Sequence, residues 1–292
     1  MRDDRGALWV IVLLAAIAGI VAVNSGLFSP DSWRAGVFLA TLGLVALSMA
    51  AIGRIVNKRL DGLIIDNRNR ASLSKLQMLL WTILIVAALT SLAASRLRAS
   101  TSDPLAIDIP GELLAAIGIA AASFVAAPTV LSLKAGETPS DQNVQDAQAS
   151  ASAQGAQLQA NGKVHGRADP SQAQWMDLFR GDEVGNADTP DLSKIQQFAI
   201  TLLLLGIYTA TLVYAFSDKS NFIVTARLSS FDPKAHPGFP NALPGLSDQF
   251  VMLMAISHAS YLVYKAAPHT SSGVSTSASS ADAASSGDVA AG

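Results

Sequence analysis

The 292-residue chain contains no cysteine, which excludes disulfides, thiolate metal sites and cysteine nucleophiles. It is also poor in charge. Asp, Glu, Lys and Arg make up 14 % of the residues, where a soluble domain carries about 25 %, too little to cover a water-facing surface. Basic and acidic residues nearly cancel, at 20 and 22, so no basic excess points to nucleic acid. The four histidines, His165, His236, His258 and His269, stand too far apart for a local metal motif. Gly181 and Gly185 are not followed by the Gly-Lys-Ser/Thr of a phosphate loop. These absences predict no metal, no cofactor and no enzymatic activity.

Apolar residues are abundant, at 50 % of the chain, and they are concentrated in six runs. The runs cover 7–23, 35–52, 76–94, 113–133, 195–216 and 246–264, each long enough to cross roughly 30 Å of hydrocarbon as a helix. The sixth is the least apolar and carries His258. The first follows Arg2 and Arg5, yet Val21-Ala22-Val23-Asn24 is a poor cleavage site, so an uncleaved signal anchor is expected. The fold class is therefore an all-α membrane protein of about six transmembrane helices.

Lys and Arg set the orientation. Arg54, Lys58, Arg59, Arg68, Arg70 and Lys75 crowd the connection between the second and third runs, which marks it as cytoplasmic. Both termini and the 134–194 connection then also fall inside, with 14 basic residues inside and six outside. A bacterial inner membrane is the expected location.

The chain also repeats itself. Ser72-Leu73-Ser74-Lys75-Leu76-Gln77 opens the third run, and Asp191-Leu192-Ser193-Lys194-Ile195-Gln196 opens the fifth, 119 positions later. Ile109-Pro110-Gly111 precedes the fourth and Leu243-Pro244-Gly245 the sixth, while Ser123-Phe124 matches Ser260-Tyr261 at an offset of 137. This predicts two tandem hairpins related by an axis near the membrane normal. Ser72 and Asp191 are the expected N-caps of their helices. The implied division is an N-terminal hairpin over 1–60, a first repeat hairpin over 61–135 and a disordered cytoplasmic linker over 136–171. A juxtamembrane segment with the second repeat hairpin follows over 172–270, then a disordered tail over 271–292. The outer loop 217–249, with four prolines, is a candidate for ordered structure.

Three groups of residues are functional candidates. His258, Tyr261 and Lys265 share one helical face, with Ser257 beside them, and could line a polar intramembrane pathway. Alternatively, His258 bonds across a helix contact while Lys265 snorkels to the interface. Gln77 and Gln196, at matching depths, are expected to touch across the repeat axis. Trp175, Phe179, Asp182 and Glu183 belong to an acidic, amphipathic segment over 172–190. It is expected to be solvated, to face the basic 54–70 loop and to dock a cytoplasmic protein. Small residues along 113–133 permit close helix packing, within the chain or in a homo-oligomer. A Ser257–His258–Asp248 triad carries almost no specificity in so serine-rich a chain.

The phrases Leu73-Ser74-Lys75-Leu76-Gln77-Met78-Leu79-Leu80-Trp81-Thr82, Asp177-Leu178-Phe179-Arg180-Gly181-Asp182-Glu183 and Ile256-Ser257-His258-Ala259-Ser260-Tyr261-Leu262 resemble a family of uncharacterised bacterial multi-pass membrane proteins. The resemblance spans about 60–270 and implies membrane residence without an activity. The leading expectation is a non-enzymatic channel-like or permeation unit in the lipid bilayer. A membrane scaffold or signalling anchor acting through 172–190 is the alternative, and a membrane-embedded enzyme comes third.

Overall fold

In a computed structural model, residues 4–26, 33–99, 103–153, 157–218, 221 and 240–269 are described. The tail 271–292 and most of the outer loop 217–249 lie outside them. The chain is mostly helical. Its α-helices are α1 (Asp4–Asn24), α2 (Arg34–Asn57), α3 (Leu73–Arg98), α4 (Gly111–Ala135), α5 (Asp141–Ala153), α6 (Leu192–Ser217) and α7 (Asp248–Ala266). Five of them, α1 to α4 and α6, are long and apolar enough to cross a membrane. The 19-residue α7 is not among these five. It still packs along both α4 and α6.

The helices exist because long apolar runs can satisfy their backbones internally, and they assemble through matching faces. Phe38, Trp81, Leu84, Leu92, Leu113, Leu204, Tyr208 and Met254 form one core that joins α2, α3, α4, α6 and α7. Phe38 stacks on Phe216 with ring centroids 5.1 Å apart, which ties α2 to α6. Along α4 the small residues Ala116, Ala120, Ser123 and Ala127 are buried, so this close-packing face is used inside the chain. By contrast, α1 is peripheral. It packs mainly on α2, where Asn24 Nδ2 donates to Thr41 Oγ1 at 2.8 Å.

The two ends of the bundle are closed differently. At one end, buried Arg96 donates to the carbonyls of Asp103 (2.7 Å), Pro104 (3.1 Å) and Pro240 (3.3 Å), holding two interhelical loops together. At the other end sits a folded cap. It contains α5, an antiparallel hairpin of β1 (Leu158–Asn161) and β2 (Val164–Arg167), and short 3-10 turns up to Asn186. The hairpin turns at Gly162, whose φ of +57° is in the left-handed region. A Cβ there would lie 2.1 Å from the Ala135 carbonyl oxygen, so only glycine fits.

The linker 136–171 was expected to be disordered, and its described part is instead folded. It contributes few apolar side chains, and its order comes from backbone pairing with distant segments. The Arg167 amide donates to the Arg68 carbonyl at 2.9 Å, and the His165 amide to the Asp182 carbonyl at 3.2 Å. Strand β2 is thus held between the α2–α3 loop and the segment entering α6.

The two predicted N-caps also differ. The Asp191 carboxylate accepts from the amides of Ser193 (3.0 Å) and Lys194 (3.2 Å), whereas Ser72 forms no side-chain cap. Asp191→Ala is expected to destabilise the start of α6 by about 1 kcal/mol. Hydrogen exchange at Ser193 and Lys194 would report it as lost protection confined to that turn.

Candidate functional site

The cap meets the bundle through two consecutive carboxylates. One oxygen of Asp182 accepts from Arg68 (2.9 Å) and Arg70 (3.1 Å) of the α2–α3 loop. The other meets Lys194 of α6 at 2.9 Å and also binds Lys265 of α7. Glu183 pairs with Lys134 at the end of α4 and accepts from the His269 amide at 3.3 Å, just beyond α7. Two neighbouring side chains therefore grip the ends of α4, α6 and α7 and the entry to α3. Asp177 completes the network, binding Arg167 at 2.8 Å and lying 3.6 Å from Arg70 Nε.

These groups are buried: Arg70 and Asp177 are each 1 % exposed, and Glu183 is 2 % exposed. Burial by itself raises the Asp182 carboxyl, but Lys194, Lys265, Arg68 and Arg70 outweigh it and hold the group well below the usual carboxylate range. Burial likewise opposes ionisation of Asp177, yet Arg70 and Arg167 keep its pKa low. For Arg68, burial is overcome by Asp182 and Asp66, and its pKa rises. His165 lies in the same network. Burial, then Arg70 and Arg68, push its pKa well below the usual histidine value.

Asp182 and Glu183 were expected in a solvated docking segment, and this is corrected here. They do face the basic loop, but from the interior. Ion pairing to four charged helix ends or loops makes burial tolerable. Of that segment, Trp175 and Met176 stay exposed, at 55 % and 51 %. Trp175 lines an apolar groove with Met49, Leu60 and Leu79. Phe179 packs edge-on against Phe198, with centroids 5.1 Å apart.

The expected Gln77–Gln196 contact is also corrected. Gln196 faces outward, and Gln77 meets Gln197, whose Nε2 donates to Gln77 Oε1 at 3.0 Å. Gln77 Nε2 in turn donates to Thr201 Oγ1 at 2.7 Å. One residue is a rotation of about 100° on a helix. The buried face of α6 runs through Lys194, Gln197, Thr201, Leu204 and Tyr208, and leaves Gln196 outside.

His258, Tyr261 and Lys265 do share a buried face, together with Ser257. His258 Nδ1 lies 2.6 Å from Ser123 Oγ, a polar contact between α7 and α4. Lys265 does not snorkel outward. It donates to Tyr261 Oη at 2.9 Å and to Asp182, so the stripe ends in the carboxylate network.

Beside the network opens a cavity of about 180 Å³. Arg68, Lys75, Lys194 and Lys265 line it together with Asp66 and Asp182, and the apolar wall is made by Ala127, Pro128 and Leu131 of α4.

Sequence reasoning missed Arg70, Lys134, His165 and Lys194 as site residues. The available signal was their placement: Lys134 and Lys194 each abut a long apolar run, as Lys75 and Lys265 do. Compared with protein-family models, curated proteins and solved structures, the chain finds no match.

Proposed function

We propose that this is a non-enzymatic inner-membrane protein that acts as a scaffold or signalling anchor, holding a folded cap against the cytoplasmic ends of its helices. In this reading α7 is a sixth span, both termini are cytoplasmic, and the chain belongs with the uncharacterised multi-pass family it resembles. The observation that carries the reading is the double grip of Asp182 and Glu183. It ties the cap to α4, α6, α7 and the α3 entry at once, so a change in helix packing is felt by the cap and a partner bound to the cap is felt by the helices. A cytoplasmic protein partner would use the exposed faces of α5 and β1. Trp175 and Met176, beside the apolar groove on α2 and α3, would act as interfacial anchors.

The tandem repeat is part of the same proposal. Helices α3 and α6 are each 26 residues long and start 119 positions apart, and α4 and α7 start 137 apart, in agreement with the sequence offsets. A homo-oligomer would use what α4 leaves outside, including Ala115 and Gly118.

The permeation reading stands second, on a specific observation. His258 Nε2 and Ser257 Oγ are buried without a hydrogen-bond partner among the described residues, which suits a water or a moving proton. The continuous apolar core through five helices favours the scaffold. Liposomes containing the protein are expected to pass ions and protons no faster than empty ones, with no change in His258→Ala. Flux that His258→Ala abolishes would overturn the scaffold reading. A C-terminal reporter active only outside the cytoplasm would overturn the topology.

A further inference from the structure

We propose that the cavity beside Asp182 binds a phosphate-type oxyanion, either free phosphate or the headgroup of an anionic phospholipid. The first observation is a charge imbalance. Among the described residues that line the cavity, Arg68, Lys75, Lys194 and Lys265 are basic, and Asp66 and Asp182 are acidic. The lining therefore carries two more basic than acidic side chains, and Lys194 among them is 3 % exposed. Excess positive charge in a buried, low-dielectric site is unfavourable, and an anion entering the cavity offsets it.

The second observation is spare donor capacity among the residues that line the space. An ammonium carries three N–H donors. Lys194 donates to the Arg180 carbonyl (2.6 Å) and to Asp182. Lys265 donates to Asp182 and Tyr261. Lys75 donates to the Ile65 carbonyl at 2.7 Å. Each of the three lines the cavity with at least one donor to spare. The carboxylates on the same wall are already compensated. Asp182 holds four cations, and Asp66 holds Arg68 at 2.8 Å and accepts from the Arg68 amide at 2.9 Å.

The third observation is the first turn of α3, since Ser72, Leu73, Ser74 and Lys75 line the same space. Ser72 provides no side-chain cap here, and its hydroxyl lies 3.2 Å from that of Ser74. In α6 the matching turn is closed by the Asp191 carboxylate. An oxyanion at α3 would stand where that carboxylate stands in the other copy, at a helix end suited to negative charge. The apolar wall of Ala127, Pro128 and Leu131 gives a lipid glycerol or acyl segment a surface to lie on.

The test follows thermal unfolding of the full-length protein in two settings. In neutral detergent it is titrated with inorganic phosphate against chloride at equal ionic strength. In nanodiscs, phosphatidylcholine is compared with phosphatidylcholine containing phosphatidylglycerol. Lys75→Gln removes a cavity cation that takes no part in the Asp182 ion pairs, and is expected to weaken apparent affinity about tenfold. Ser72→Asp places a carboxylate where the ligand would sit, and is expected to stabilise the protein and abolish its response. Stabilisation by phosphate identifies the free anion, and stabilisation by phosphatidylglycerol alone identifies the headgroup. The proposal is overturned if neither stabilises the protein. It is equally overturned if the response persists undiminished in both variants.

Discussion

Asp182→Ala is expected to destabilise the docked cap by about 3–5 kcal/mol, the range for removing one partner of a buried ion pair. The physical reason is what the substitution leaves behind. Arg68, Arg70, Lys194 and Lys265 converge on this one carboxylate from three parts of the chain. Without it they face one another at close range in a region of low dielectric. Arg68 keeps Asp66 and Arg70 keeps Asp177, but Lys194 and Lys265 lose their only ion pairs among the described residues. Asp182→Asn preserves the shape without the charge and is expected to fall in the same class, since an amide cannot neutralise an ammonium. The cap amides of Val164–Arg167 provide the measurement, because β2 is held to this network through the Asp182 backbone. Their hydrogen exchange should accelerate by roughly two to four orders of magnitude. Breaking the exposed Lys163–Glu137 pair should leave exchange there unchanged. Full protection in Asp182→Ala would mean that the cap is held by packing and backbone pairing alone.

The long apolar helices were legible because their signal is local. A run such as 113–133 needs only its own composition to declare a helix that must leave water, and α4 covers it. The face of each helix was less legible. Gln77 was chosen correctly and its partner missed by one position, because the sequence repeat aligns Gln196 with Gln77 while packing aligns Gln197. An offset of one residue is small in an alignment and large on a helix. The cap was the hardest part to read. Its segment over 136–171 has the composition of a disordered linker, and what orders it lies elsewhere in the chain. Asn69 reaches the Arg167 carbonyl across 98 positions, and Arg70 reaches Asp182 across 112. Charges that single-sequence reasoning assigns to solvent or to topology, such as Arg68 and Arg70, became interior because opposite charges arrived from far along the chain. The stripe from His258 to Lys265 was found through helical spacing, but its end point at Asp182 was not, because that contact joins α7 to a loop 83 residues earlier.

Stability of the cap is expected to fall as pH drops from about 6.5 towards 5, through His165. Arg70 Nη1 lies 3.1 Å from His165 Nε2. A guanidinium can only donate, so Nε2 is the acceptor and the neutral ring carries its proton on Nδ1. Gly181's carbonyl, 3.2 Å from the same Nε2, accepts from Arg70 Nη1 at 3.0 Å instead. Protonating Nε2 would break the bond from Arg70 and set a third cation beside Arg70 and Arg68, an effect that Asp182 and the Gly181 carbonyl oppose but do not outweigh. Burial and the two arginines therefore hold the folded-state pKa well below the unfolded value. The sign follows from proton counting. Above about pH 6.5 the ring is neutral in both states and the full stability is present. Below it the unfolded chain takes up a proton that the folded one refuses, so stability is lost with a limiting slope of about 1.4 kcal/mol per pH unit until the folded-state pKa is reached. Asp182 and Asp177 act in a separate window. Their depressed pKa values keep their contribution intact until pH falls below the ordinary carboxylate range near 4. His165→Gln supplies a neutral acceptor for Arg70 and should remove this slope while leaving the low-pH loss in place. The difference between wild type and variant, measured by cap hydrogen exchange from pH 7 to 5, cancels contributions from the other histidines. Parallel pH profiles would show that His165 is protonated within the folded cap and that the arginines do not set its charge.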